Sequence, residues 1–311
     1  MIIVKNLYEH YVKERWLVYA RRSVGLPAPW TRDPVIAGSK FTNDFRILDA
    51  GSQFLLGDLC SDGAPLKDLM MRCFLYRYTN RREPWNAFKK IYGRFPVIED
   101  LESGKLMDFL KGYDSPIFGP AYRVHVGSEN TGIDKVSYFV GLAAQAFTPT
   151  GGKLSYGHGW GECGELYILP QLESRWGDAE GIFNILRTLP RCSDFMSQQV
   201  LTDYTYLPQS TMTDSDHVVP GPGSKRGMDL LESGKSYQYI LKEYQDYWSS
   251  KGPVLTSGHV VGHTLSLMDV QNTFCEFQKY VRRLNSGRKF TPYSPSNPDR
   301  TWSDPVLPKN W

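Results

Sequence analysis

From Asp216 to Gly227 the chain reads DHVVPGPGSKRG, a carboxylate followed at short distance by three glycines, a lysine and an arginine. Glycine lets a backbone turn tightly and present its N–H groups. Lys225 and Arg226 add positive charge, so Gly221, Gly223, Lys225 and Arg226 are the set that would hold a phosphate. Asp216 at the edge is either a proton-accepting catalyst or a residue that only caps its turn. No GxxxxGK[ST] pattern occurs in the chain, so the loop is not a P-loop for a free nucleoside triphosphate.

Other residues could read a base or a phosphate. Asn43 and Arg46 share a helical face at i and i+3, as an amide and a guanidinium would to contact a base and a backbone phosphate. An internal polar cluster uses the same spacing. Asn80 and Arg81 carry the same two readings, while Trp85 and Trp30 are rings that could stack on a flipped base or belong to the core. Gln198 and Gln199 face different sides of a helix, so at most one of them reaches a pocket, and Gln199 is the candidate. His158 lies among glycines, and His259 and His263 are separated like zinc ligands on a helix, but Gly258 and Gly262 beside them argue for loop or strand. Five cysteines without CxxC or Cys/His spacing complete the set, and neither a metal nor a cofactor is expected.

These residues sit in a chain of 311 residues, 41% hydrophobic and 22% charged, enough for a substantial core. Aromatic residues make up 14%, more than a core needs, so some rings should line a ligand surface. A net charge of +3 permits a nucleic-acid partner without demanding one. The first residues become charged too early for a signal peptide, and no apolar run approaches a membrane span. A cytoplasmic protein without a membrane partner is expected.

Helical spacing dominates. Apolar residues recur every three or four positions from Leu267 to Leu284 and from Tyr237 to Trp248, and more weakly over Phe45–Leu59, Leu66–Cys73 and Ile133–Ala143. The chain therefore reads as mostly α. Breakers fall at 25–34, at the Gly-rich 148–164 span, which could form a lid or short hairpin, and at 214–227. A single helical domain over 1–291 and a Pro-rich strap over 292–311 are expected.

The segment from Gly177 to Pro208 carries more than periodicity. Asp178 should cap one short helix, Leu189-Pro190 should end it, and Ser193 or Asp194 should cap a second reaching about Tyr204. This hairpin, about 178–204, resembles the helix-hairpin-helix of base-excision DNA glycosylases, whose turn, usually LPGVG, grips a DNA phosphate. Here the turn is Leu189-Pro190-Arg191-Cys192-Ser193, with both glycines replaced and Arg191 offering a direct charge. That superfamily keeps an aspartate some eighteen to twenty residues past the turn. Asp216 lies 21 residues after Phe195, with Asp214 two before it. The resemblance implies that the aspartate stabilises a cationic sugar and orients a water, which makes 214–227 the catalytic loop. Bifunctional members place a lysine near Phe195, so lyase chemistry is not expected here.

Five blocks in order extend the likeness to nearly the whole chain: KFTNDFRILDAGSQFLL, RYTNRREPWNAF, LPRCSDFMSQQVLTDYTY, DHVVPGPGSKRGMD and MDVQNTFCEFQKYVRR. Together they resemble the α-glutamyl/putrescinyl thymine pyrophosphorylase family, also called amino acid:DNA transferases or the helical domain found with 5-hydroxymethyluracil DNA kinases. Phe41, Thr42, Asn43, Phe45, Arg46 and Asp49 match its first motif, and Gln199 with Asp203 its post-hairpin motif. Cys275, Glu276, Phe277, Lys279 and Tyr280 match its last.

The resemblance implies a helix-hairpin-helix glycosylase-like fold and a DNA partner carrying modified bases. It leaves two chemistries. One is hydrolysis of the N-glycosidic bond of a bulky, phage-type base by Asp216 and a water, which would serve antiviral defence and is the leading expectation. The other is displacement of pyrophosphate from an activated 5-hydroxymethyluracil by an amine. A protein that binds modified DNA without turnover is the third reading. Asp203 is expected to be structural or to line the pocket.

Overall fold

The structure, a computed structural model, describes residues 2–119, 134–149, 166–286 and 304–311. The Gly-rich stretch from 150 onward and His158 lie outside the described residues. The fold is mostly α, as the periodicity predicts. The helices are α1 (Ile2–Ser23), α2 (Pro34–Ala37), α3 (Ala50–Phe54), α4 (Leu66–Thr79), α5 (Glu83–Tyr92), α6 (Ile98–Glu102) and α7 (Lys105–Lys111). They continue with α8 (Lys135–Phe147), α9 (Leu169–Ser174), α10 (Ala179–Arg187), α11 (Asp194–Thr205), α12 (Pro222–Leu231), α13 (Tyr237–Lys251) and α14 (Leu267–Leu284). Two antiparallel strands, β1 (Val254–Ser257) and β2 (Val260–Thr264), hold His259 and His263 in a hairpin, so these histidines do not share a helical face.

The contacts gather into two units. A discontinuous unit comprises Met1–Gln53 and Val218–Lys309 with Trp311, and a continuous unit comprises Phe54–His217 with Asn310. In the discontinuous unit, Tyr8 is fully buried at the centre of an aromatic cluster. Its ring stacks on Phe274 with centroids 4.7 Å apart and meets Tyr244, Trp248 and Phe277 edge-on. Its hydroxyl is 2.6 Å from Thr273 Oγ1, which satisfies a polar group that burial would otherwise penalise. Much of the aromatic surplus in the sequence is therefore core. The described end of the chain lies against the strand hairpin: His259 Nε2 is 2.8 Å from the Pro308 carbonyl and Trp311 stacks on His263 at 3.7 Å. Burial there lowers the His263 pKa to about 4.

The Phe45–Leu59 block is not the single helix its spacing suggests. A 3-10 turn (Arg46–Leu48) gives way to extended backbone at Asp49, then α3, then a π-type turn over Leu55–Leu59. The interruption is local and polar: Asp49 turns its carboxylate back to accept the Asn43 N–H at 2.9 Å.

In the continuous unit α4 is buried on nearly all sides and packs against α8 and α11. Even its Arg72 is 1% exposed, donating to the carbonyls of Pro96 and Leu59 and to Asp62. α10 and α11 pack on each other as the two arms of a helical hairpin.

Candidate functional site

The hairpin forms as its sequence dictates. Asp178 Oδ1 accepts the Gly181 N–H at 2.9 Å and starts α10, and the apolar stripe Ile182, Phe183 and Leu186 is buried. α10 ends at Arg187, ahead of Leu189-Pro190, and Ser193 caps α11. Between the caps, Arg191 adopts φ +62, the left-handed conformation that glycine takes without strain. The turn thus keeps at Arg191 a backbone conformation that glycine would adopt freely. The Arg191 side chain is exposed and lies near the Tyr138 hydroxyl, with which it interacts. An exposed guanidinium in this turn is suited to meeting a phosphate, although Ser193 already caps α11 and Asp194 in its first turn pairs with Arg187.

Three carboxylates follow, and their surroundings differ sharply. Asp203 is fully buried in α11 and accepts from both Nε and Nη2 of Arg77 on α4, a two-pronged ion pair that binds the two helices together. Asp216 is exposed, and both of its oxygens are engaged by one residue: Thr213 donates its N–H at 2.8 Å and its hydroxyl at 2.7 Å. That is the geometry of a turn-closing aspartate. Asp214 is 4% exposed and accepts from the buried hydroxyl of Tyr206 at 3.0 Å. A carboxylate held by a phenol inside the protein is better isolated from water than one closing a surface turn. Sequence reasoning preferred Asp216 to Asp214, which lies 19 residues after Phe195.

The remaining candidates of this unit have local tasks. Asn80 is the left-handed C-cap of α4, at φ +45, with its N–H on the Tyr76 carbonyl. Arg81 is half-buried, its Nε 3.4 Å from Glu83 Oε2. Trp85 is 1% exposed and donates from Nε1 to Thr79 Oγ1 at 3.1 Å, so its ring is core and not a stacking surface. Gln199 is buried on α11, while Gln198 donates to the His217 carbonyl at 3.0 Å.

The other predicted residues belong to the discontinuous unit. Asn43 donates from Nδ2 to the Leu48 carbonyl at 2.8 Å and accepts at its carbonyl from Asn272 Nδ2 at 3.1 Å. Arg46 is buried, and its backbone N–H donates to Asp269 Oδ1 at 2.6 Å. Glu276 and Lys279 pair beside the Thr42 N–H, so the first and last blocks of the sequence pattern interlock in one polar cluster. Burial pushes Asp44 up to about 8 and Asp49 to about 6.

The glycine-rich segment is a loop only as far as Pro220; from Pro222 it is α12, capped at Gly221. Proline at the first helical position needs no N–H donor, which makes this a normal helix start. Its glycines face α14. A Cβ on Gly223 would lie 2.6 Å from Cys275 Sγ, and one on Gly227 only 2.1 Å from the Phe274 carbonyl oxygen. The Gly221 N–H already donates to Gln271 Oε1 at 3.3 Å. Close helix packing therefore explains these glycines, leaving Lys225 and Arg226 as exposed charges, Lys225 over the Tyr237 ring.

Among the described residues no group of His, Cys, Asp or Glu is arranged to hold a metal ion, and no helix is long and apolar enough to cross a membrane. A family model described as 5-hmdU DNA kinase, helical domain, matches residues 3–289. No curated protein and no solved structure matches the chain.

Proposed function

The chain belongs to the family described as 5-hmdU DNA kinase, helical domain, and from that premise we propose that it is a base-flipping DNA enzyme whose reaction is hydrolysis of the N-glycosidic bond of a bulky modified base. The single observation that carries this reading is Asp214: a buried carboxylate, supported by Tyr206, 19 residues beyond Phe195 at the start of α11, in the same unit as the hairpin. Arg191 in the hairpin turn of the same unit would meet a DNA phosphate.

In the reaction the C1′–N bond breaks with its electron pair leaving on the base. The carboxylate of Asp214 stabilises the cationic sugar and takes the proton of the water that adds to C1′. The products are a free base and an abasic sugar. Phe195 stands where bifunctional glycosylases carry a lysine, so no Schiff base with the strand forms. Self-supplied phosphorylation is not part of this reading, because the chain has no P-loop pattern.

The test is a mass-spectrometric product assay on duplexes from hypermodified phage DNA and on unmodified duplexes. A freed modified base and an abasic site are expected from the wild type. Asp214→Asn should slow release by about 10²–10⁴-fold, the usual share of a positioned acid–base group, and Asp216→Asn should stay near wild type. A base of increased mass would establish group transfer instead. Saturable, salt-sensitive binding without product would establish a non-catalytic reader of modified DNA.

A further inference from the structure

Two cysteines that the proposed reaction does not use meet inside the continuous unit. Cys60 Sγ and Cys73 Sγ are 4.0 Å apart although the residues are 13 apart in sequence and form no CxxC pattern, and the side chains are 2% and 0% exposed. Cys73 lies in the middle of α4, and Cys60 closes the π-type turn over Leu55–Leu59, its N–H donating to the Leu55 carbonyl at 2.8 Å. The residues beside the two cysteines fix this meeting. Arg72, which precedes Cys73, donates from Nη1 to the carbonyl of Leu59, which precedes Cys60, at 2.9 Å, and to Asp62 Oδ1 at 2.8 Å. The segments that carry the thiols are therefore tied together on both sides of Cys60.

A disulfide has an S–S separation of about 2 Å, so the gap closes with rotation of the two side chains and a shift of about 2 Å. Access comes from one side. Ser61, Asp62 and Gly63, which follow Cys60, are exposed, and a local opening of this short loop uncovers Cys60 while α4 stays in place. Burial first, and the Cys60 thiol next, push the Cys73 thiol up, so Cys73 keeps its proton and is a poor first nucleophile. Both facts make Cys60 the thiol that reacts first.

We propose that Cys60 and Cys73 are a modification site at which a peroxide forms a disulfide, fastening the end of the π-type turn to α4. The Cys60 sulfur attacks hydrogen peroxide and the O–O bond breaks; the hydroxide that leaves takes the thiol proton as water, and Cys60 becomes a sulfenic acid. The Cys73 sulfur then forms the S–S bond, the S–O bond of the sulfenic acid breaks, and the hydroxide leaves with the Cys73 proton as a second water. The two thiols lose two electrons in all, and one peroxide gains them. The site shares no residue with the hairpin turn or with Asp214, so it stands independently of the glycosylase reading.

Peptide mapping of the full chain tests it. Reduced protein is treated with hydrogen peroxide under native conditions, its remaining thiols are blocked with N-ethylmaleimide in urea, and trypsin then separates the two cysteines at Lys67 and Arg72. A joined pair of peptides carrying Cys60 and Cys73, lighter by two hydrogens than their sum and parted by dithiothreitol, is expected. The oxidised protein should melt at a higher temperature than the reduced one, because the closed loop restricts the unfolded chain. Cys73→Ala should leave a sulfenic acid on Cys60 that dimedone traps, and Cys60→Ala should leave Cys73 open to N-ethylmaleimide at the same peroxide dose. Full blocking of both thiols in peroxide-treated wild type, a cross-link that forms only in urea, no rise in melting temperature with the bond formed, or oxidation of Cys73 in Cys60→Ala would overturn the proposal. The first three of these outcomes are read on the wild type, so they do not rely on either variant folding.

Discussion

Replacing Asp203 separates a structural carboxylate from a catalytic one. Asp203 is fully buried and Arg77 is 3% exposed, with two hydrogen bonds between them. Asp203→Asn keeps the shape but removes the negative charge, leaving a guanidinium inside the protein with only half of its compensation. Breaking a buried pair from one side costs about 3–5 kcal/mol. At about 2–4 °C per kcal/mol for a unit of this size, the melting temperature should fall by roughly 6–20 °C. Urea unfolding should show the same loss as a lower midpoint with an unchanged slope. Product release per folded molecule should stay close to wild type, because neither partner touches the reacting sugar in the proposed chemistry. The double variant Arg77→Met/Asp203→Leu, which removes both charges, should recover most of the loss, since a well-packed apolar pair is often as stable as a buried ion pair. A wild-type melting temperature in Asp203→Asn, or full stability with release reduced a hundredfold, would refute the structural assignment and return Asp203 to the reaction.

Arg191→Gly should leave stability within about 1 kcal/mol of wild type, because relief of the left-handed arginine offsets the entropy of glycine; it should also reduce the salt slope of DNA binding by about one charge, read from titrations at several ionic strengths. Gly227→Ala should destabilise by about 1–3 kcal/mol through overpacking against the Phe274 carbonyl, whereas Lys225→Ala should change thermal stability by under about 0.5 kcal/mol. Asp44, whose pKa rises from 3.8 to about 8 on folding, keeps its proton in the folded state after the unfolded chain has lost it, so its contribution to stability is present at acid pH and declines as pH rises between those values. Asp44→Asn should flatten that decline in unfolding curves measured from pH 4 to 9; an unchanged slope would show that Asp44 is ionised when folded.

The helices were legible because their stripes and caps are local. Asp178 and Ser193 announce α10 and α11, and the periodic runs of α13 and α14 fall within three residues of their observed ends. What local reading missed depends on partners far along the chain. Gly223 looks like a phosphate-loop glycine until α14, some fifty residues on, is seen to press against it. Asn43 and Asn80 look like base-reading amides until one is found bonded within a polar cluster and the other serving as a left-handed helix cap. Asp216 and Asp214 are two residues apart in the same loop, and only burial tells them apart.

The discontinuous unit also dictates an order of events during synthesis. The Tyr8 hydroxyl waits for Thr273, 265 residues later, so the aromatic centre of that unit cannot close until α14 has been made. Apart from Asn310, the continuous unit is complete at His217. At about 5–20 residues per second, the stretch from His217 to Tyr280 takes roughly 3–13 s to translate. Throughout that interval the hairpin-bearing unit can fold while α1, already emerged, has an uncovered aromatic face. That face is the point at which a chaperone would engage the nascent protein and where slowed translation would favour aggregation.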